Sequence, residues 1–426
     1  MKTSENFNVD MYKININDAK KVIDELGCDK GGIKILASKT KTHTLFIKNL
    51  HVGAANILKQ DALSIGADLA VPTGVIVAQD EYVDAILIGT TKHLETLARK
   101  ELSQPYGLKQ VAKKIKEFIN QKLYTTKIMG VLNANADSFY KDSRFDNTQA
   151  SMKIEQMIDD GANIIDIGAV SSKPGSTPVS AEVELERIQD IINTIYTNKY
   201  YDKVDFSIDS YEPLVIDFAL NNGFKIVNDI TGLANDEVCK VSAKYDASVV
   251  IMHMQNDPRT MQDNPVYDNV ILDIDKYFKN QISKANSFGI NNIILDVGIG
   301  FGKTLNHNLD LLNNLEHFKH LGCELLIGAS RKSLIDKIYP CNIEERLPGT
   351  LAIHLKSIEK VSHFINTHHG VFLIYFSSVC VLILFVIRYL ENRSKSLKQN
   401  FLQLIINTTN LQFILVILIN GLLFLT

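Results

Sequence analysis

Cysteine is scarce in this chain, and what there is of it is scattered. Five cysteines (Cys28, Cys239, Cys323, Cys341, Cys380) occur in 426 residues, with no C-x-x-C pair among them. That argues against a disulfide framework or a zinc site and fits a reducing cytosol. A basic excess is also missing: the formal net charge is −3, so nucleic-acid binding has no electrostatic footprint. The N-terminus, Met-Lys-Thr-Ser-Glu-Asn, lacks the apolar core of a signal peptide, which predicts a cytoplasmic chain. Two nucleotide motifs fail on spacing. A P-loop needs glycine where Val297 stands, and a dinucleotide fingerprint needs one where Lys303 stands.

What is present falls into three regions. Residues 1–122 mix short apolar runs (Gly32–Ala37, Thr44–Ile47, Asp84–Ile88) with amphipathic stretches around Ala54–Ser64 and Gly107–Asn120. This predicts a small α/β domain, with no metal cluster or phosphate loop and a role in support or oligomer contacts. From Lys127 to about Lys360, short apolar strands alternate with amphipathic helical segments. The strands are expected at Lys127–Leu132, Asn163–Ile167, Asp205–Ile208, Lys225–Val227, Ser248–Met252, Asn292–Leu295 and Leu325–Ile327. Seven such repeats predict a (β/α)8 TIM barrel in preference to a doubly wound sheet, because distinctive residues end nearly every strand. The expected domain limits are 1–122, 123–369 and 370–426.

The most informative strand end is Asp296-Val297-Gly298-Ile299-Gly300-Phe301-Gly302-Lys303. A carboxylate there is followed by three alternating glycines, which let backbone approach a flat or anionic ligand, with Phe301 as a stacking surface. Others are Asn133-Ala134-Asn135-Ala136-Asp137, Asp166 to Ser176, Asp209-Ser210, Asn228-Asp229, Met252-His253-Met254 and Gly328-Ala329-Ser330-Arg331-Lys332-Ser333. Arg346-Leu347-Pro348-Gly349-Thr350 follows.

Taken in order, these strand ends resemble the dihydropteroate synthases of the pterin-binding barrel superfamily over about residues 127–360. The resemblance implies a reaction in which the amine of p-aminobenzoate displaces diphosphate from dihydropterin hydroxymethyl diphosphate, giving dihydropteroate. Asp209 and Asp296 would grip the pterin edge, since a carboxylate accepts a fork of N–H donors in bidentate fashion. Asn228 would help, Lys332 would be a pterin-contacting cation, and Lys332 and Asp137 complete the expected catalytic set. Substrate contacts are expected from Ser172, Lys173, Met252, Phe301, Gly302, Lys303, Ser330, Arg331 and His368. Ser330 is expected at a helix start, facing the aminobenzoate carboxylate. Asn133 would contact Mg²⁺, the implied cofactor. Asp229 divides evenly between a helix cap and a site residue, and His253 reads as a satisfied polar group. The resemblance also implies a homodimer.

The chain departs from the family pattern at several points. Asn135-Ala136 replaces the usual Thr-Pro, and Val170 and Lys173 stand where glutamate and arginine are common. In the eighth unit Asn366 replaces an arginine, so of its diphosphate ligands only His368 survives. No amphipathic eighth helix follows. Instead come Val371–Ile387, 17 residues without charge, a basic linker (Arg388, Arg393, Lys395, Lys398), and a second apolar run, Leu411–Thr426. These are candidate membrane segments, short for a span. One crossing before the basic linker would put the catalytic domain outside. The expectation is a tail not evolved with the barrel, from a shifted frame or a fusion; a membrane anchor is the alternative. Two further function readings stay open: a pterin-binding protein impaired by its C-terminus, and a pterin-dependent methyltransferase.

Overall fold

The computed structural model describes residues 11, 19–120, 124–134, 147–170, 179–256, 260–360 and 364–367. Asp137, Ser172, Lys173, His368 and both apolar runs of the tail lie outside the described residues. Among the described residues, no helix is long and apolar enough to cross a membrane. The chain divides into two units, Met1–Leu123 with His320–Gly322, and Tyr124–Lys319 with Cys323–Thr426.

The first unit is built on a three-stranded antiparallel sheet of order β1-β3-β2, with β1 Thr42–His51, β2 Asp68–Ala70 and β3 Tyr82–Thr90. Along β3, Val83, Ala85, Leu87 and Gly89 are buried and alternate with exposed neighbours, the pattern of a sheet covered on one face. The helix Val52–Leu63 buries Ala54, Ala55, Leu58 and Ala62, the spacing of one helical face. Of the three apolar runs, Thr44–Ile47 and Asp84–Ile88 are strand, but Gly32–Ala37 lies inside the helix Lys30–Thr40. Asp29 starts that helix by accepting a hydrogen bond from the Gly31 amide at 2.9 Å.

The second unit carries eight parallel strands: β4 Lys127–Asn133, β5 Ile164–Gly168, β6 Asp205–Asp209, β7 Ile226–Asp229, β8 Ser248–Met252, β9 Ile293–Asp296, β10 Glu324–Gly328 and β11 Phe364–Thr367. Each pairs with the next, and β11 pairs with both β10 and β4, so the sheet closes. β5, β7 and β9 are buried along their whole length, as strands covered on both faces must be. One side chain from each of six strands (Met129, Ile164, Ile226, Val250, Ile294, Leu326) makes a shared buried cluster. The eighth strand is short, yet its backbone registers Asn366 opposite Gly328 on one side and Met129 on the other.

Candidate active site

The loop after β9 is pinned from several sides. The Asp296 carboxylate accepts the Gly298 amide at 2.8 Å, closing a tight turn at the strand end. Gly298 has φ +65°, and a Cβ there would lie 2.0 Å from the His253 carbonyl oxygen, so only glycine fits. At Gly302 (φ +60°) a Cβ would meet the Gln255 backbone at 2.9 Å. The Gly302 carbonyl accepts from the Tyr267 hydroxyl at 2.8 Å, and the Gly300 amide donates to Asn308 at 2.7 Å. The loop is therefore held before any ligand arrives.

Lys303 was expected on the substrate side; its amine is spent inside the loop. The residue is only 1% exposed. Its ammonium donates to the carbonyls of Phe301 (2.8 Å), Gly298 (3.0 Å) and His253 (3.1 Å), with the His253 Nδ1 at 3.1 Å. Burial pulls its pKa down to about 7, against the pull of Asp296. His253 is held neutral, near a pKa of about 3, by burial and then by the Lys303 charge. This is the satisfied polar role read from the sequence.

Lys332 completes this side. Its ammonium sits 4.3 Å from the centroid of the Phe301 ring and donates to the Ile299 carbonyl. Burial lowers its pKa to about 8, opposed by Asp296. Arg346-Leu347-Pro348-Gly349-Thr350 braces the loop that carries it. Thr350 Oγ1 accepts the Arg331 amide at 2.9 Å and donates to the Arg346 carbonyl at 2.9 Å, while Arg346 donates to the Arg331 carbonyl at 3.2 Å. Arg331 itself has φ +52°, a strained position this brace maintains. Ser330 is half-buried and is not at a helix start: the following helix, Ser333–Ile338, begins after Lys332.

On the other side, Asp209 ends β6, in register with Gly168 of β5 and Asn228 of β7. Its carboxylate lies over Gly168, where a Cβ would come within 3.1 Å of Oδ2. Asn228 donates to Asp166 at 3.0 Å. Asp166, one of the acids nearest Asp209, was not singled out from the sequence. It is 1% exposed, and its Oδ1 has no hydrogen-bond partner among the described residues. An aspartate inside the apolar run Ile164-Ile165-Asp166-Ile167 was the signal to find it. Burial first, then the charges of Asp166, Glu184 and Asp229, push Asp209 well above the usual carboxylate range. Asp166 and Glu184 are raised as well, chiefly by burial. Asp296 is raised by burial, with Lys332, the Gly298 amide and Lys303 opposing.

Of the remaining candidates, Met252 is buried at the end of β8, and its carbonyl accepts from the Tyr277 hydroxyl at 3.1 Å. Asp229 proves to be a turn cap: one oxygen takes the Thr231 amide (2.7 Å) and hydroxyl (2.6 Å), the other the Leu233 amide (2.9 Å). Asn133 is half-buried at the end of β4, opposite Gly168.

Buried carboxyls on one side and a lysine laid on an aromatic ring on the other suit a flat heterocycle rich in N–H donors. The chain belongs to the pterin-binding enzymes: the family described as "Pterin binding enzyme" matches residues 129–368, more than half the chain. Within that family its relatives are dihydropteroate synthases. The bifunctional dihydropteroate synthase/dihydropteroate reductase of Helicobacter pylori is 36% identical over 357 residues, covering 84% of this chain and 94% of that protein. The dihydropteroate synthase of Escherichia coli K12 is 37% identical over 244 residues, 57% of this chain and 86% of that one. The solved Yersinia pestis dihydropteroate synthase, in a sulfonamide drug complex, superposes with TM-score 0.56 at 31% identity, covering 62% of this chain and 95% of that one.

Proposed function

We propose that this chain is a dihydropteroate synthase of folate biosynthesis. The nitrogen of p-aminobenzoate forms a bond to the pterin methylene carbon, the bond from that carbon to the diphosphate oxygen breaks, and the amine gives up a proton. The observation that carries the reading is the pairing of Asp296 with Lys332 and Phe301 at one side of the strand ends, and Asp209 with Asn228 at the other. Asp296 and Asp209 accept the N–H groups of the pterin edge, each charge-assisted bond adding about 1.5–3 kcal/mol. Departure of diphosphate leaves positive charge on the pterin. Fixed carboxylates stabilise that charge more in the transition state than in the ground state. Phe301 borders the aminobenzoate ring, Lys332, laid on the Phe301 ring and drawn by Asp296, stands between the aminobenzoate and the pterin, and Arg331 and Ser330 lie on the same braced loop.

The leaving diphosphate belongs with the loops after β4 and β5, where Asn133, Asp137, Ser172 and Lys173 fall in the sequence. Asn133 offers a single neutral oxygen, which fits Mg²⁺ carried mainly by phosphate oxygens and water. Bound there, Mg²⁺ would neutralise charge on the diphosphate. The test is direct: purified chain with the pterin diphosphate, p-aminobenzoate and Mg²⁺ should yield dihydropteroate and diphosphate in equal amounts. Absence of both products would sink the reading.

A second activity, reduction of dihydropteroate, has one observation in its favour. An alignment of 357 residues is longer than the chain from Tyr124 to Thr426, so the likeness to the bifunctional relative reaches into the first unit. Loss of dihydropteroate supplied with a reduced nicotinamide or flavin would support it, and a chain lacking residues 1–123 should then lose that activity alone.

A further inference from the structure

We infer that Lys303 is a positioning residue for the pterin site: its buried amine clamps the glycine loop and, when protonated, places a positive charge behind Asp296, without touching substrate. This rests on the synthase reading. Three observations carry it. First, the amine has four acceptors around it for its three N–H groups, and three are carbonyls that span the loop and the end of β8. No N–H is left over for a ligand. Second, two of those carbonyls belong to Gly298 and Phe301, the residues next in action to Asp296 and Lys332. The Gly298 amide holds the Asp296 carboxylate, and the Phe301 ring carries the Lys332 ammonium. Third, a nearly inaccessible charge is tolerable only with a compensating partner. The groups facing Lys303 are Asp296 on β9, neutral His253 after β8, and the Lys332 ammonium from the loop after β10. Asp296 is the one anion among those three, so the two charges stabilise one another.

The consequence is a division of labour between two lysines near one aspartate. Lys332 is the half-buried one beside the aminobenzoate surface. Lys303 is enclosed, and acts on substrate only through the carboxylate and the ring that it fixes.

The experiment compares Lys303→Met and Lys303→Gln in the full chain, with binding of the pterin diphosphate followed by calorimetry across pH. Both should bind at least about tenfold more weakly at pH 6, where the parent amine is charged, and acid loss of binding should move up by about one pH unit as Asp296 loses a counter-charge. The loss in kcat/KM for the pterin should exceed the loss in kcat. Gln keeps an N–H donor without charge, so a Gln variant that binds like the unsubstituted chain overturns the charge role. An unmoved acid limb in both variants overturns the whole proposal. A third measurement needs no folded variant: amine labelling of the unsubstituted chain with and without the pterin. Lys303 should stay unlabelled in both states while the pterin protects Lys332. Labelling of Lys303 that substrate suppresses would mean direct contact, and would refute the inference. If the unsubstituted chain binds no pterin, the synthase reading falls and takes this one with it; normal binding with unshifted variants removes Lys303 alone.

Discussion

Asp296→Asn separates chemistry from stability at the best-defined position in the site. The substitution keeps the shape of the side chain, and its amide oxygen can still accept the Gly298 amide that Asp296 now holds at 2.8 Å. The second atom changes from acceptor to donor and so meets the N–H groups of a pterin edge donor to donor. One charge-assisted hydrogen bond is lost outright and the other loses its charge assistance, together about 2.5–4.5 kcal/mol. At 1.36 kcal/mol per decade, kcat/KM should fall by about 10²–10³-fold. The pH dependence of stability should change as well. The folded pKa of Asp296 lies above its ordinary value. The unsubstituted fold therefore loses stability as pH rises from the ordinary carboxylate range through that raised value. Asparagine does not titrate, so melting of the variant should depend less on pH than the parent's as pH rises from the ordinary carboxylate range. Turnover would be measured by diphosphate release and stability by circular-dichroism melts. Parent-like turnover, or activity lost in step with a lowered melt, would refute the reasoning.

Three further outcomes can be checked. Gly298→Ala forces a left-handed conformation on alanine and drives its Cβ toward the His253 carbonyl. It should cost at least about 2 kcal/mol in denaturant melts and lower turnover more than about tenfold. Because Lys332 titrates at about 8, affinity for aminobenzoate should fall as pH rises through that value. Lys332→Arg should abolish that alkaline limb, whatever it does to the absolute affinity. Thr350→Val leaves the Arg331 amide without its acceptor. It should cost about 1–3 kcal/mol and raise the KM for aminobenzoate; an unchanged KM would show that the brace does not govern Lys332.

Much of this was legible in the sequence because strand ends announce themselves. A short apolar run followed at once by Asp, Asn or Gly has few other readings, and the seven expected strands of the second unit all occur within a residue or two at either end. What escaped was direction. Nothing in Gly-Phe-Gly-Lys says whether the lysine turns toward ligand or back under its own loop. The Gly298 turn decides that, by bringing three carbonyls within reach of one amine. Asp166 opens the second strand-end run, but nothing in that run says that the fold sets it against Asn228 and beside Asp209. Ser330 was placed at a helix start because loop and helix are contiguous in sequence, whereas the left-handed Arg331 defers the helix to Ser333.

The short strand β11 sets an order on how this molecule can be made. It bridges β10 and β4, registering Phe364 against Lys127. On the ribosome, β4 through β10 emerge while both outer edges of the sheet still lack a neighbour. The ring cannot close until residues 364–367 have cleared the exit tunnel. Until then β4 and β10 present unpaired backbone to solvent and to other nascent chains, the circumstance in which edge-to-edge aggregation starts. Pairing over so long a separation is intrinsically slow. Expression at low temperature or with abundant chaperones should thus raise the yield of folded protein. A nonsense codon just ahead of Phe364 should give insoluble product even though every residue the site needs between β4 and β10 has been synthesised.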